Sequence, residues 1–232
     1  MSTTKFTLQR KDYPLLHNLK ESQFKTLVEY SEIIPIKKGS SIYNEGDELD
    51  AIYLVISGKI KLGACLSDDQ KVLKDIILVG GLFGENALST QDKRTEFAKA
   101  LCHKTRVLKV SNVIVKQIMT TNANFTNDII QYSLEKIQML EKRIEYFIFK
   151  KAKARIAQYI HNMTLQHGIK IGVDENLIKL NMSHKELAHI TDTSRQTVAR
   201  VLSELKAAHL IHFSKRKPSK ILVRQLPQLA QL

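Results

Sequence analysis

Four residues with binding chemistry lie close together in the stretch FGENALSTQDKRTEF, residues 83–97: Gly84, Glu85, Arg94 and Thr95. A guanidinium group offers a planar fork of N–H donors that matches two phosphate oxygens, and glycine lets a backbone approach a ligand closely. Arg94 is therefore predicted to anchor an anionic ligand. Glu85 and Arg94 have no evident general base beside them, and the sequence has no nucleophile elbow, Walker loop or HExxH motif. This pattern indicates binding and not an enzyme.

A second set of residues points to nucleic acid, in SHKELAHITDTSRQTVARVLSELKAAHLI, residues 183–211. Ser183 and Glu186 have the spacing of a capping box that opens a short helix. Residues 191–193 suit a tight turn, and Thr193 or Ser194 can cap the next helix. The second helix would bury one stripe, made of Val198, Val201, Leu202 and Leu205. The pattern predicts a helix-turn-helix.

The other face of that second helix carries side chains that can read bases. Arg195 and Arg200 could each donate two hydrogen bonds to guanine O6 and N7, and Gln196 could pair with adenine N6 and N7. We expect Ser194 and Thr197 to contact phosphate, and Ser183 is placed with them among the DNA-binding residues. After the helix, HLIHF and KILVR flank a basic hairpin tip. This wing would hold the phosphate backbone through Lys215, Arg216, Lys217 and Lys220.

The charge distribution agrees with a C-terminal nucleic-acid site. The 232-residue chain has a formal net charge of +13. Residues 1–150 carry 22 Lys and Arg against 18 Asp and Glu, a net of +4, whereas residues 151–232 carry 14 against 5, a net of +9. A compact domain this basic attracts polyanions. We expect a cytoplasmic protein, because the N-terminus has no apolar leader and no apolar run is long enough to span a membrane.

The elements that position both sites change in character along the chain. Residues 15–30 have apolar side chains at helical spacing, and residues 33–110 form short β-prone runs separated by turn residues, which predicts a small sandwich or roll. A long helix is predicted over residues 124–149. Its residues Ile130, Ile137 and Ile144 lie seven apart, and Leu140 and Phe147 follow the last two by three. This seam predicts a homodimer, with an amphipathic helix packed on its own β domain as the alternative.

Several stretches together carry a family resemblance. GGLFGENAL, KRTEFAKAL, RIAQYI at residues 155–160 and SRQTVARVLSEL resemble the cyclic-AMP receptor protein/FNR family of bacterial transcription regulators over nearly the whole chain. The resemblance implies an α+β fold with three parts. Residues 1–121 would be a cyclic-nucleotide-binding β-roll, jelly-roll-like, with an N-terminal helix. Residues 122–150 would be the dimerisation helix and hinge, and residues 151–232 a winged helix-turn-helix.

The resemblance also implies roles for the first set of residues. A cyclic nucleotide, cyclic AMP or cyclic GMP, would lie against Gly84, Glu85, Asn86 and Ala87, with Glu85 accepting from the ribose 2′-hydroxyl. Arg94 would pair with the cyclic phosphate, and Thr95 would add a hydroxyl and a backbone N–H. On the long helix, Leu140 and Glu141 occupy the place where cyclic-AMP-responsive members offer a Thr-Ser pair to the adenine. Glu96, beside Arg94, would repel a bound phosphate.

Other effectors therefore stay open: a different small anion, no ligand at all, or a haem, redox or gas sensor. Two cysteines cannot supply the roughly four ligands of an iron–sulfur cluster. Cys102 and His103 are adjacent candidate axial ligands for haem, with His17 elsewhere in the chain. An architectural DNA-binding protein is the remaining alternative.

For the regulator, the resemblance implies double-stranded DNA, a second copy of the chain and RNA polymerase as partners, with no membrane. A two-fold dimer would read a pseudo-palindromic operator with half-sites about one helical turn apart. Gln196 replaces the acidic residue of the family pattern, so the operator should differ at that base. Asp192 replaces the usual turn glycine and can adopt a left-handed conformation.

Overall fold

The structure is a computed structural model of the chain. The structure describes residues 8–65, 71–178, 182–214 and 220–231. Contacts divide the chain into two compact units, residues 1–136 and residues 137–232. The boundary lies inside the long helix, whose two halves therefore belong to different units. The predicted three-part division of the chain, at residues 121 and 150, stays a prediction.

The first unit is mainly β, as the run of short apolar segments predicts. Two short 3₁₀ turns, Arg10–Asp12 and Pro14–Leu16, precede its first α-helix. Its helices and strands, in chain order, are α1 Glu21–Glu29, β1 Ser31–Ile36, β2 Ser41–Tyr43, β3 Ala51–Ser57, β4 Ile60–Cys65, β5 Lys71–Ile77, β6 Leu82–Phe83, β7 Phe97–Ala100, β8 Thr105–Ser111, α2 Asn112–Thr121 and α3 Ala123–Phe149.

Two antiparallel four-stranded sheets make up the roll. One has the strand order β1-β8-β3-β6 and the other β2-β7-β4-β5. Strand β3 is buried on both faces. Alternate side chains of a strand point to opposite sides, so its residues divide between two core clusters. Its Tyr53 and Val55 join the core cluster that also takes in β4 and β7, whereas Ile52 and Leu54 pack with the clusters of α1, α2 and α3. The predicted α+β roll is confirmed.

The first helix is shorter than the apolar spacing over residues 15–30 predicts. Pro14–Leu16 forms a separate 3₁₀ turn, and α1 begins only at Glu21. Lys20 has an extended backbone, and its N–H donates to Gln23 Oε1 at 3.0 Å. This side-chain hydrogen bond satisfies a backbone donor at the helix start and so favours starting the helix there.

Helices α2 and α3 follow β8. The Ser111 side chain accepts from the Val113 N–H and caps α2, which the sequence analysis did not predict. Helix α3 begins one residue before the predicted start and ends at the predicted Phe149. Phe125 and Ile129 bury its N-terminal turns in the core of the first unit.

The second unit begins inside α3 and continues with helices around a four-stranded antiparallel sheet, in the order β11-β12-β10-β9. Its further elements are α4 Ala152–His167, β9 Ile169–Lys170, β10 Glu175–Ile178, α5 His184–Ile190, α6 Arg195–Ala207, β11 Ile211–Phe213, β12 Ile221–Arg224 and α7 Leu226–Ala230. One core cluster joins α4, α5, α6 and the strands. Among the described residues, no helix combines the length and the apolar character needed to cross a bilayer.

Candidate nucleic-acid interface and effector pocket

The first helix of the predicted helix-turn-helix begins with the predicted capping box. Ser183 Oγ accepts from the Glu186 N–H at 3.2 Å, and Glu186 Oε2 accepts from the Ser183 N–H at 2.8 Å. Leu187 and Ala188 are buried, so the apolar side of this short helix faces the core. Ser183 itself is exposed at the helix start. A DNA contact by Ser183 stays a prediction, since its hydroxyl also donates to Glu186 Oε2 at 3.0 Å.

The turn between the helices has the left-handed residue that the sequence predicts. Asp192 has φ of +51°. The Thr193 N–H donates to the Ala188 carbonyl oxygen at 2.9 Å, which closes the turn. Of the two capping candidates the structure uses Ser194, whose Oγ accepts from the Thr197 N–H at 3.0 Å. Both helix starts are thus satisfied by side chains, and helix α6 begins at a defined residue.

Helix α6 has two distinct faces. The predicted stripe of Val198, Val201, Leu202 and Leu205 is buried, each at most 4% exposed. Arg195, Gln196 and Arg200 are exposed on the rest of the surface. Arg200 Nη1 lies 2.7 Å from Glu204 Oε1 within the same helix. An exposed pair of this kind contributes only about 0–1 kcal/mol, so Arg200 can exchange Glu204 for a base edge.

The wing is formed by β11 and β12 after α6. Ile211 pairs with Val223 and Phe213 with Ile221 in the antiparallel register. The Ser214 N–H donates to the Lys220 carbonyl oxygen at 2.9 Å and closes the hairpin toward its tip. The predicted phosphate contacts Lys215, Arg216 and Lys217 lie outside the described residues.

The predicted seam of the long helix is exposed on α3. Ser133 interrupts the heptad pattern, and its hydroxyl turns back to donate to the Ile129 carbonyl oxygen at 2.9 Å. Leu134, next to it, supplies an exposed apolar side chain instead. The side chains of the stripe are 47–60% exposed: Ile130, Leu134, Ile137, Leu140, Ile144 and Phe147. A row of large apolar side chains this exposed on one helix is typical of an interaction surface.

In the β-roll, the structure places Arg94 in the interior. The residue is 3% exposed. Its Nη1 donates to the Gly84 carbonyl oxygen at 3.1 Å and its Nη2 to the Ala51 carbonyl oxygen at 2.6 Å. The guanidinium carbon lies 4.2 Å from the centre of the Tyr43 ring and 5.7 Å from that of Tyr53, within cation–π range. Its Nε is buried and has no hydrogen-bond partner among the residues that the structure describes.

Gly84 is required by this arrangement for two reasons. Its φ of +77° lies in the left-handed region, where the backbone of residues other than glycine is strained. A Cβ at this position would also lie 2.8 Å from Arg94 Nη1 and 3.2 Å from Tyr53 Cδ2. The close approach that the sequence predicts here is therefore made by the arginine of the chain itself.

Glu85 follows in a short 3₁₀ turn, Glu85–Leu88, and forms an ion pair with Lys136 of α3. The two side chains are only 21% and 17% exposed. One turn earlier on α3, the Tyr132 hydroxyl donates to the Leu82 carbonyl oxygen at 2.7 Å and accepts from the Leu82 N–H at 2.9 Å. Burial raises the pKa of Tyr132, so this hydroxyl keeps its proton. The N-terminal half of α3 is thus held to the roll by polar contacts within the protein.

Glu96 also has partners inside the roll. The Tyr43 hydroxyl donates to Glu96 Oε1 at 3.2 Å, and Lys74 Nζ lies 3.5 Å from Glu96 Oε2. Burial and then the nearby Glu96 carboxylate raise the pKa of Tyr43. Thr95 is exposed, and its carbonyl oxygen accepts from Lys74 Nζ at 3.3 Å. The carboxylate that would repel a phosphate is therefore fixed near the Arg94–Tyr43 stack.

The structure thus brings Gly84, Glu85 and Arg94 together, with Ala87 buried and Asn86 exposed in the same turn. In this arrangement their polar groups already contact other groups of the protein. Both terminal nitrogens of Arg94 donate to carbonyl oxygens, and the charge of Glu85 is matched by Lys136. The predicted contacts to phosphate and ribose stay predictions. Leu140 and Glu141, which were predicted to line the effector site in place of the Thr-Ser pair, are exposed on the half of α3 that belongs to the second unit.

The residues considered for haem lie at the surface of the roll. Cys102 is partly exposed and His103 is exposed, in the turn between β7 and β8. His17 is exposed after the second 3₁₀ turn, and its Nε2 lies 2.9 Å from the Lys11 carbonyl oxygen. A haem ligated by Cys102 or His103 would therefore bind at this turn and not in the interior of the roll.

Comparison with known families agrees with both halves of the molecule. Residues 33–122 match the cyclic nucleotide-binding domain, and residues 154–232 match the Crp-like helix-turn-helix domain. The chain belongs to the Crp/Fnr family. It is therefore a DNA-binding transcription regulator of the Crp/Fnr type.

Relatives within the Crp/Fnr family are distant but cover most of the chain. The cyclic AMP receptor protein of Thermus thermophilus is 24% identical over 222 residues, which is 96% of this chain and 97% of that protein. The global nitrogen regulator of Synechococcus elongatus is 22% identical over 187 residues, covering 80% and 84%. A CooA mutant from Carboxydothermus hydrogenoformans has the same fold, with a TM-score of 0.77, 18% identity and 97% coverage of each chain.

The sequence analysis did not identify two groups of residues that contact the predicted effector site or position α3 on the roll. Tyr43 and Tyr53 flank Arg94, although they come from strands of different sheets. Their inward positions on β2 and β3 were the only available signal. Lys136 and Tyr132 are spaced by four on α3, which places them on one face, but no pattern in the sequence names their partners on the roll.

Proposed function

We propose that this regulator binds a specific, two-fold symmetric operator as a homodimer, with α6 entering the major groove. The observation that carries the proposal is the pair of faces on α6. Its apolar stripe is buried in the second unit, whereas Arg195, Gln196 and Arg200 are exposed, with Arg195 and Gln196 in the first turn after the cap. Arginine and glutamine are the side chains that pair with guanine and adenine edges.

The exposed stripe of α3 supports the homodimer. Ile137 and Ile144 with Leu140 and Phe147 repeat at heptad spacing, and each is at least half exposed in the single chain. A second copy of the same helix offers a matching stripe, so a two-fold pairing would cover both. The two recognition helices would then contact half-sites about one helical turn apart.

A binding selection followed by variant measurements tests the operator. Operator sequences are selected from random DNA with the purified protein, and affinities for selected and scrambled DNA are measured at fixed salt. Arg195→Ala and Arg200→Ala should each lower the ratio of the two affinities by about 5- to 150-fold, since a bidentate base contact discriminates by about 1–3 kcal/mol. Lys206→Ala, at the far end of α6, is the matched control. Unchanged sequence preference in both arginine variants would refute the proposed readout.

We propose further that the β-roll is the control domain, responding to a small effector. The match to the cyclic nucleotide-binding domain over residues 33–122 supports a small-molecule effector. A second candidate is a regulator that acts without any effector. One observation favours it: Arg94 already donates to two backbone carbonyl oxygens, and Glu85 already forms an ion pair with Lys136.

Operator binding with and without cyclic nucleotide separates these two functions. Affinity is measured alone, with cyclic AMP and with cyclic GMP, alongside calorimetric titration of each nucleotide. Saturable binding that changes operator affinity and is weakened by Glu85→Gln supports a cyclic-nucleotide effector. Full operator affinity without ligand, and no binding of either nucleotide at millimolar concentration, supports the effector-independent regulator. Arg94→Ala is an unsuitable control, because its guanidinium is part of the roll interior.

RNA polymerase is the proposed protein partner, and the cytoplasm the proposed location, on the basis of family membership. A relative from Mycobacterium tuberculosis is named as a global transcriptional regulator, and an enzymatic activity is not proposed. Transcription from a promoter that carries the selected operator, measured with and without the protein, would give the sign of regulation.

A further inference from the structure

The turn of the helix-turn-helix is held by a residue of the long helix. Arg143, on the second-unit half of α3, donates from Nε to Asp192 Oδ2 at 3.0 Å and from Nη2 to Asp192 Oδ1 at 2.8 Å. Nη2 also donates to the His189 carbonyl oxygen at 3.0 Å. The Arg143 and Asp192 side chains are 26% and 31% exposed. Two parallel charge-assisted bonds fix both distance and orientation, which a single contact cannot do.

A second arginine braces the same turn from α4. Arg155 donates from Nε to the Thr191 carbonyl oxygen at 2.8 Å and from Nη2 to the Asp192 carbonyl oxygen at 2.6 Å. Its Nη1 donates to the Lys150 carbonyl oxygen at 2.7 Å, just after α3 ends. The guanidinium carbon also lies 5.3 Å from the centre of the Phe147 ring. The carbonyl groups of the turn are therefore satisfied by cations from α3 and α4.

The residue at the centre of this contact is held in a costly backbone conformation. Asp192 has φ of +51°, a left-handed conformation in which glycine is unstrained and Asp is strained less than most other residues. A glycine would satisfy the turn geometry without strain but would offer no carboxylate to Arg143. What Asp192 adds to the turn is therefore the ion pair.

We propose that Arg143 is a positioning residue for DNA recognition, which sets the orientation of α6 relative to the long helix through Asp192. Ser194, two residues beyond Asp192, caps α6, and Arg195 is the first residue of that helix. A shift of the turn is transmitted directly to the predicted base contacts. The proposal rests on the proposed homodimer: if two α3 helices form the dimer axis, each Arg143–Asp192 pair fixes one recognition helix relative to that axis. Arg143 itself contacts the turn and not the DNA.

Double-mutant measurements on the full-length protein test this role. Arg143→Gln removes the fork, and Asp192→Gly removes the carboxylate while relieving the backbone strain; the double variant removes both. Lys142→Gln is the matched control, because it deletes the same charge from the neighbouring exposed position of α3. Affinities are measured for the selected operator and for scrambled DNA, with thermal unfolding and sedimentation in parallel.

We expect each single variant to lower operator affinity about 5- to 20-fold. The affinity of the double variant should be no lower than that of the single variant with the lower affinity, because the same interaction is removed in all three. Affinity for scrambled DNA should change no more than in Lys142→Gln. Asp192→Gly should unfold at the same temperature as the wild type or higher, which distinguishes positioning from a loss of stability.

Three outcomes overturn the proposal, and they can be told apart. Operator affinity within twofold of wild type in both single variants, with the dimer intact, refutes the positioning role and leaves the proposed function standing. So do losses that simply add in the double variant. A wild-type protein that is monomeric or shows no sequence preference refutes the proposed function itself, and the positioning role with it.

Discussion

At the scale of single residues, Arg94 is the clearest case of a side chain whose type suggests one role and whose surroundings describe another. A guanidinium near Gly84 and Glu85 suits a phosphate, yet here it is buried between two tyrosine rings and bonded to two carbonyl oxygens. A buried charge is tolerated only when such contacts compensate its lost hydration. Arg94 is therefore part of the roll's core as well as the predicted anchor for an anion.

We expect Arg94→Ala to destabilise the roll by about 3–5 kcal/mol, because it removes the hydrogen bonds to the Gly84 and Ala51 carbonyl oxygens and opens a cavity beside Tyr43. Urea unfolding of the full-length chain, followed by near-ultraviolet circular dichroism of the tyrosines, measures the change. Lys93→Ala is the control: its side chain is 60% exposed and its Nζ lies 3.9 Å from Glu48 Oε1, so its loss should change stability by less than about 0.5 kcal/mol. Equal stability of Arg94→Ala and wild type would contradict the structural role.

At the scale of elements, local signals predicted some pieces fully and others not at all. Helix α6 was predictable because Ser194, the apolar stripe and the left-handed Asp192 all lie within one short segment. Helix α2 was missed, although Ser111 caps it, because its apolar side chains follow a strand without a break. The surroundings of Arg94 could not be derived, because Tyr43 and Tyr53 come from different sheets and meet only through strand pairing.

The contact of α3 with β6 gives a prediction at this scale. Tyr132→Phe removes the hydroxyl that donates to the Leu82 carbonyl oxygen and accepts from the Leu82 N–H. Both backbone groups are partly buried and would lose this partner. We expect a loss of about 1–3 kcal/mol and faster hydrogen exchange at the Leu82 amide. Tyr30→Phe, at a residue 59% exposed, is the matched control and should leave both unchanged. Unaltered exchange at Leu82 in Tyr132→Phe would count against this docking contact.

At the scale of the whole molecule, the exposed stripe on α3 is the feature that a single chain does not explain. Ile144→Glu would place a carboxylate in each half of the proposed seam, where the two would face apolar side chains and each other. We expect the dissociation constant of the dimer to rise at least about 100-fold, roughly 3 kcal/mol, measured by sedimentation equilibrium. Gln138→Glu adds the same charge to an exposed polar position of the same helix and should leave the dimer intact. A dimer that survives Ile144→Glu would place the interface elsewhere.

The uneven charge of the chain makes a final prediction about how the dimer holds DNA. Most of the excess charge, +9, lies in residues 151–232, so phosphate contacts should dominate affinity and operator binding should weaken steeply with salt. Lys220 lies at the base of the wing hairpin. Lys220→Gln should lower affinity for all sequences alike and reduce the slope of log K against log salt by about two, one contact from each protomer. Arg195→Ala should instead reduce sequence preference and leave most of that slope in place. If the two variants behaved alike, the division between a base-reading helix and a phosphate-holding wing would be wrong, because only contacts of different chemistry respond differently to salt.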